Sequence, residues 1–537
     1  MMEYDVIVVG GGIAGLTAAA YLVKSGYKTL LYEKESNVGG LVNSFDYKGF
    51  SFDGGIRSIE NSGIVFPMLK ELGIEVEFTK SRVTLGLVDE IIRVDDDNSL
   101  LEYQNMLINK FSENEDDIKN IMTEIKKIMK YMDILYGIDN PLFMDITKNK
   151  KYLFETILPW SLKFLLAINK INSLNEPVYD YLKKFTSNQA LIDVIAQHFF
   201  TDTPTFFALS YFSLYRDYNY PLKGTGEITQ QMASFILDHG GLIKKNTKVI
   251  KVDPINRRIF DDLGNSNSFK KMIWAADLKT LYASIDLNLI NDNNLKEKIS
   301  IRKNELNSLK GGNSILTLYL TTNLDKGYFK NICTEHLFYT PKLPGLTTVK
   351  LDELIISNIN GKIIYTDDKD KIMQWLRRFF ANTTYEISIP VLRNESLAPR
   401  GKSGLIISSL MEYSLVEHLA VNGWYDEFKL LANKLILNAL EDSIFTGLSD
   451  GVIDSFVATP ITIKKRSGNS DGAITGWAFD NKKIPVVTKM NQVRKSVLTE
   501  IPNILMAGQW SYSPSGLPIS VMTGKIASDK VIKDLSN

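Results

Sequence analysis

The sequence predicts an α/β fold: a Rossmann-type domain that is discontinuous in sequence, joined to a mixed α+β domain. Three observations carry this expectation. An apolar strand, a glycine-rich turn, a helix and a second strand follow one another over residues 5–33. A mostly helical stretch interrupts the pattern from about residue 80 to 220. Strands then resume after Lys223-Gly224-Thr225-Gly226, and the chain closes with strand, glycine-rich loop and helix over Ile504 to Lys533. One hydrophobic core rarely serves more than about 250–300 residues, so a chain of 537 implies at least two domains. The expected division is 1–80, 223–290 and 456–537 for the Rossmann-type domain, with a helical insertion at 81–222 and a mixed sheet at 291–455.

Each element has its own signal. Asp5-Val6-Ile7-Val8-Val9 is a near-continuous apolar run, as in a strand buried on both faces. Leu16 to Lys24 reads as a helix stopped by Ser25-Gly26, and Lys28 to Glu33 as the next strand. In the insertion, Ser112-Glu113-Asn114-Glu115 predicts a capping box. Ile118, Ile121, Met122, Ile125, Ile128, Met129 and Met132 follow at helical spacing. Tyr152 to Ile171 is the richest apolar stretch. It reads either as a buried helix or as a monotopic membrane contact. Ile228 to Leu237 is an amphipathic helix ended by Gly240-Gly241, followed by strands at 242–252, 257–260 and 272–276. Further strands are expected at Ser314 to Leu320 and Leu405 to Leu410.

Composition excludes several functions. Lys+Arg and Asp+Glu are both 62, so no basic excess exists to neutralise nucleic-acid phosphates. Cys333 is the sole cysteine, which rules out an internal disulfide and a cysteine-based metal centre. The four histidines, His198, His239, His336 and His418, are scattered and suggest no metal site. No uncharged apolar run is long enough to span a bilayer and the N-terminus does not resemble a secretory signal, so a cytoplasmic protein is expected.

Gly10, Gly12 and Gly15 form G-x-G-x-x-G between a strand and a helix, the context that gives the motif meaning. The glycines permit a tight turn, close approach of a pyrophosphate and close helix–strand packing. The helix start offers N–H groups and a positive dipole to phosphate. Glu33 closes the second strand, where its carboxylate can accept from ribose hydroxyls. Two further glycine loops follow, Gly39-Gly40-Leu41-Val42 and Gly54-Gly55-Ile56-Arg57. They suit a dinucleotide longer and bulkier than NAD.

These residues resemble the FAD-dependent flavoproteins that include phytoene desaturases, carotenoid isomerases and retinol saturases. The wider group holds amine oxidases and the Rab GDP-dissociation inhibitors. The likeness spans Asp5 to Arg57, then Tyr220 to Gly226 with Thr247 to Val252 and Trp274 to Asp277. It continues through Ala458 to Trp477 and Asn503 to Ala527. It implies non-covalently bound FAD, held by Gly10, Gly12, Ile13, Ala14, Gly15, Glu33, Lys34, Gly39, Gly40, Leu41, Val42, Gly54, Gly55 and Ile56. Val249, Ala275, Gly508, Gln509, Gly516, Leu517, Pro518 and Ser520 complete the implied site. Arg57, Trp510 and Tyr512 are the candidate catalytic residues: Trp510 and Tyr512 would pack on the ring or substrate, and Arg57 would face the ring or substrate or else serve an ion pair or a phosphate. Two departures stand out: Leu41 where many relatives have Arg, and Gln509 where many have an acid.

The substrate side is less legible. Aromatic residues cluster at Phe199-Phe200, Phe206-Phe207 and Tyr211-Phe212 to Tyr215, which suits an apolar tunnel or an ordinary core. The resemblance implies an oxidoreductase that desaturates, saturates or isomerises carbon–carbon bonds of a hydrophobic polyene, isoprenoid or lipid-like substrate. An amine or amino-acid oxidase and a non-enzymatic lipid or prenyl carrier remain open as alternatives. The expected partners are a hydrophobic small molecule and, if the apolar stretch is exposed, a membrane surface.

Overall fold

The computed structural model describes residues 2–96, 98–144, 150–359 and 362–537. Its first sheet has seven strands drawn from three separate parts of the chain. At its centre Glu3–Val9 runs parallel to Thr29–Tyr32 on one side and to Ser266–Trp274 on the other, with Val8 opposite both Leu31 and Ile273. Leu242–Lys244 extends the sheet in parallel beyond Thr29–Tyr32. Ile504–Met506 adds in parallel to Ser266–Trp274. Val6, Ile7 and Val8 are fully buried because helices cover one face of this sheet and further packed structure the other. Arg258–Asp261 and Val249–Asp253 close the edge as an antiparallel pair.

The helix Ile13–Lys24 packs along the final helix Leu517–Ser536. Their approach is very close at Gly524, where an added Cβ would sit 2.4 Å from the Ala14 carbonyl oxygen. That contact fixes the C-terminal segment against the glycine-rich turn.

The second sheet also has seven strands, in the order Val452–Ala458, Ser314–Thr322, Ser403–Met411, Tyr385–Ser388, His336–Thr340, Val83–Leu87 and Glu90–Val94. Only the pair His336–Thr340 with Val83–Leu87 is parallel. Helices Lys369–Asn382 and Tyr425–Glu441 bury their apolar sides beside this sheet. Between residues 99 and 215 the described chain is helical, and the stripe Ile118, Ile121, Met122, Ile125, Ile128 and Met132 is buried as its spacing predicts.

Two expectations need correction. The capping box at Ser112 is not made. Ser112–Asn114 is a short 3-10 turn, and the helix Glu115–Tyr136 begins after Asn114 with no side-chain cap. The Asn114 side chain is engaged elsewhere, donating to Asp117 and accepting from Asn188. The helix start is instead favoured by Glu115, Asp116 and Asp117 in its first turn.

The apolar stretch is not a buried helix. In Leu158–Ser173 only Ala167 and Ile168 are buried, while Leu162, Leu165 and Leu166 are 66%, 63% and 83% exposed. Leucines occupy too much of the helix circumference for one neighbour to cover. A π-turn at Leu153–Ile157 precedes it, just ahead of Pro159, whose missing N–H interrupts the regular ladder. Trp160 anchors the helix by donating to the Ile134 carbonyl and stacking on Phe164. No helix among the described residues is long and apolar enough to cross a membrane.

Candidate functional site

The site begins where the first strand ends. Glu33 is buried beneath the glycine turn, accepting from Gly11 N–H at 2.8 Å and from Glu35 N–H at 2.9 Å. Burial pushes its carboxyl upward, and those two N–H groups pull it back. Each oxygen keeps a lone pair for a further donor. Gly12 caps the helix, and a Cβ there would meet nothing within 4 Å. The turn therefore opens onto empty space, and the N–H groups of the first helical turn open with it. Gly15 is the opposite case: a Cβ would lie 1.9 Å from the Gly10 carbonyl oxygen, so only glycine lets helix and turn close.

Two other segments converge here. Asp53 is fully buried and accepts from Ser44, from the Tyr220 hydroxyl, and from the N–H and hydroxyl of Thr225. It locks the hairpin of Ser44–Tyr47 and Phe50–Asp53 to the helix beginning at Gly226. From the C-terminus, Gly508 donates to Thr523, which places the loop 508–516 over the same space. Ser513 and Ser515 line that space, and their buried hydroxyls have no partner among the described residues.

One cavity of about 890 Å³ connects all of this to the second sheet. At one end it is walled by the glycine turn, Glu33, Gly39-Gly40 and the C-terminal loop. At the other it is walled by Phe199, Phe206, Phe207, Tyr211, Tyr215 and Phe338. Ile168 and Ile171, on the inner side of the apolar helix, also line it. The aromatic clusters are thus chamber walls as well as core. His198 projects into the same chamber, edge-on to Phe338 at 5.7 Å, and burial lowers its pKa to about 4.

Charged groups sit in the chamber wall. Arg57, 3% exposed, pairs with Glu386 at 2.8 Å and donates to Ser408. His336 Nε2 lies 3.1 Å from the other Glu386 oxygen, and its Nδ1 lies 3.0 Å from the Ser58 hydroxyl. Burial pushes Glu386 upward, but Arg57 and His336 outweigh it and hold the carboxyl at about 2. Burial pushes His336 downward despite the carboxylate. Glu60 also lines the cavity, and burial raises its pKa with no cation to oppose it.

Comparison with known proteins places this arrangement. Residues 8–72 match the NAD(P)-binding Rossmann-like domain. Over 99% of both chains, the protein is 22% identical to a 4,4'-diapophytoene desaturase (4,4'-diaponeurosporene-forming) of Staphylococcus haemolyticus. The chain is thus similar along its full length to diapophytoene desaturases. An oxidoreductase of Methanosarcina mazei shares the fold with a TM-score of 0.58 at 14% identity, covering 99% of this chain and 100% of that one. Putrescine oxidase bound to putrescine shares it with a TM-score of 0.58 at 12% identity, covering 99% of each.

Most of the residues expected at the dinucleotide lie in the cavity wall. They are Gly10, Gly12, Ile13, Ala14, Glu33, Gly39, Gly40, Leu41, Val42, Gly54, Gly55, Ile56 and Ala275, with Gly508, Gln509, Gly516, Leu517, Pro518 and Ser520 from the C-terminal segment. Three lie outside the wall. Gly15 packs behind the turn, Lys34 donates to the Lys465 and Arg466 carbonyls, and Val249 is buried in the edge strand of the first sheet. Trp510 and Tyr512 line the cavity, but their polar atoms are held elsewhere, on the Asn469 side chain and the Thr488 carbonyl. They present ring surface only. Arg57 is in the wall with its charge already met by Glu386.

Glu60, His336, Glu386, Asp53 and Gly11 were not singled out by the sequence. Gly11 alone carried a signal, as the middle glycine of the run. Its Cβ would meet Glu33 Oε2 at 2.9 Å.

The cradle fits a flavin dinucleotide on two observations: the open space above Gly12 and the unpartnered hydroxyls of Ser513 and Ser515. Cys333 is buried away from the cavity and its thiol is pushed up to about 12, so it offers no thiolate for covalent attachment.

Proposed function

We propose that the protein is an FAD-dependent oxidoreductase acting on carbon–carbon bonds of a long, hydrophobic, polyene or isoprenoid substrate. The carrying observation is the continuity of one cavity from the glycine-rich cradle to the aromatic chamber. When bound in this cradle, a flavin would supply a two-electron acceptor or donor. The chain does the rest. The first-turn N–H groups above Gly12 and the start of the final helix favour negative charge on the cofactor. The aromatic walls exclude water and align an extended chain for reaction. Pairing Arg57 with Glu386 keeps a bare cation out of the apolar chamber. The full-length likeness to a diapophytoene desaturase favours this reading over an amine oxidase.

The exposed face of Leu158–Ser173 supports membrane contact. Leu162, Leu165 and Leu166 face outward, and Ile168 and Ile171 of the same helix line the cavity. A helix seated in the lipid boundary would deliver an apolar substrate directly to the chamber.

The test is anaerobic incubation of FAD-loaded protein with linear C30 and C40 polyenes presented in liposomes. Flavin bleaching with a longer-wavelength polyene product supports desaturation. Bleaching by diamines, but by no polyene, would overturn the proposal in favour of amine oxidation.

A further inference from the structure

We infer that the chamber selects an apolar chain carrying a neutral hydroxyl group, which donates to the Glu386 carboxylate held by Arg57 and His336. This deepens the proposed function and rests on its apolar-chain substrate. The Glu386 side chain keeps 36% of its surface open, and the opening faces the internal cavity. Arg57 pairs with one carboxylate oxygen, and His336 Nε2 lies 3.1 Å from the other with no hydrogen bond made, so both oxygens keep a lone pair for a further donor. A pure hydrocarbon covering that face would strip water from an ionised carboxylate and return no hydrogen bond. A carboxylate-bearing lipid would be repelled.

An ammonium is disfavoured by the charge already present. Arg57 already pairs with Glu386 at 2.8 Å, so the pair as a unit has no net charge to draw in a cation. It presents a strong acceptor, and an alcohol is the neutral donor that matches it. The aromatic surfaces of Tyr211, Tyr215 and Phe338 around the cluster suit the adjoining chain.

The test measures binding to the flavin-loaded protein by quenching of tryptophan fluorescence. The probes are four linear C20 isoprenoids of one skeleton, ending in hydrocarbon, alcohol, carboxylate or ammonium. The alcohol should bind about tenfold more tightly than the hydrocarbon. Glu386→Gln should shrink that preference, with hydrocarbon affinity rising because no ionised carboxylate is then desolvated. Because this variant strands Arg57, the double variant Arg57→Leu with Glu386→Leu removes both charges and is expected to fold. It too should lose the preference. Equal binding of alcohol and hydrocarbon, a preference retained in the double variant, or tightest binding of the ammonium would each overturn the inference. Failure of all four probes to bind would instead overturn the apolar-substrate reading beneath it.

Discussion

The Tyr220 hydroxyl donates to the carboxylate of Asp53 at 2.7 Å, joining two segments far apart in the chain. Thr225 adds two more donors to the same carboxylate. The hairpin that precedes Gly54-Gly55 is thereby fixed to the helix that starts at Gly226. Asp53→Asn replaces an accepting carboxyl oxygen with an amide N–H₂ that faces other donors. It should cost about 2–3 kcal/mol in urea unfolding and weaken flavin retention. Tyr220→Phe removes one bond and should cost about 1 kcal/mol. Equal effects of the two would show that the carboxylate does not anchor the cradle.

Gly12 and Gly15 separate binding from folding. A side chain at position 12 projects into the open cradle, so Gly12→Val should give folded protein of near-normal melting temperature without bound flavin. A side chain at position 15 collides with the Gly10 carbonyl, so Gly15→Ala should lower stability by several kcal/mol. Circular dichroism melting and flavin absorbance on both variants check this contrast.

The same glycines show what a sequence reveals. A strand, a phosphate turn and a helix are local, and their residue requirements follow from backbone geometry within a few positions. The cradle, the sheet that bears it and the C-terminal segment were legible for that reason. Arg57 lies in the loop after Phe50–Asp53, while His336 and Glu386 meet because the second sheet places Tyr385–Ser388 beside His336–Thr340. No spacing rule encodes that meeting. The capping box at Ser112 was not made, because Ser112–Asn114 forms a 3-10 turn and the helix begins only at Glu115.

Acid should destabilise the fold through buried histidine. An unfolded histidine titrates near about 6.5, whereas His198 titrates at about 4. As pH falls below about 6.5 the unfolded chain takes up a proton that the folded state refuses. Stability should therefore decline from pH 6.5 to 4, by an amount of the order of 2–3 kcal/mol from His198. His336 acts in the same direction. His198→Gln should flatten the decline over this window, as read by urea unfolding at each pH. An unchanged slope would show that His198 is not the titrating group.

The apolar helix gives a separable prediction. Leu162→Asp with Leu166→Asp alters only outward-facing positions, so unfolding temperature should change little. Co-sedimentation with liposomes should fall at least tenfold, since each apolar side chain buried in lipid contributes about 1–3 kcal/mol. Unchanged sedimentation would leave the membrane reading without its helix.

The central claim is that the cavity between the two sheets holds a flavin dinucleotide. A visible absorption spectrum of the purified protein, repeated after denaturation and filtration, tests it most directly. Flavin bands at about one per chain, with FAD released into the filtrate, are expected. Colourless protein that takes up no added FAD would contradict it.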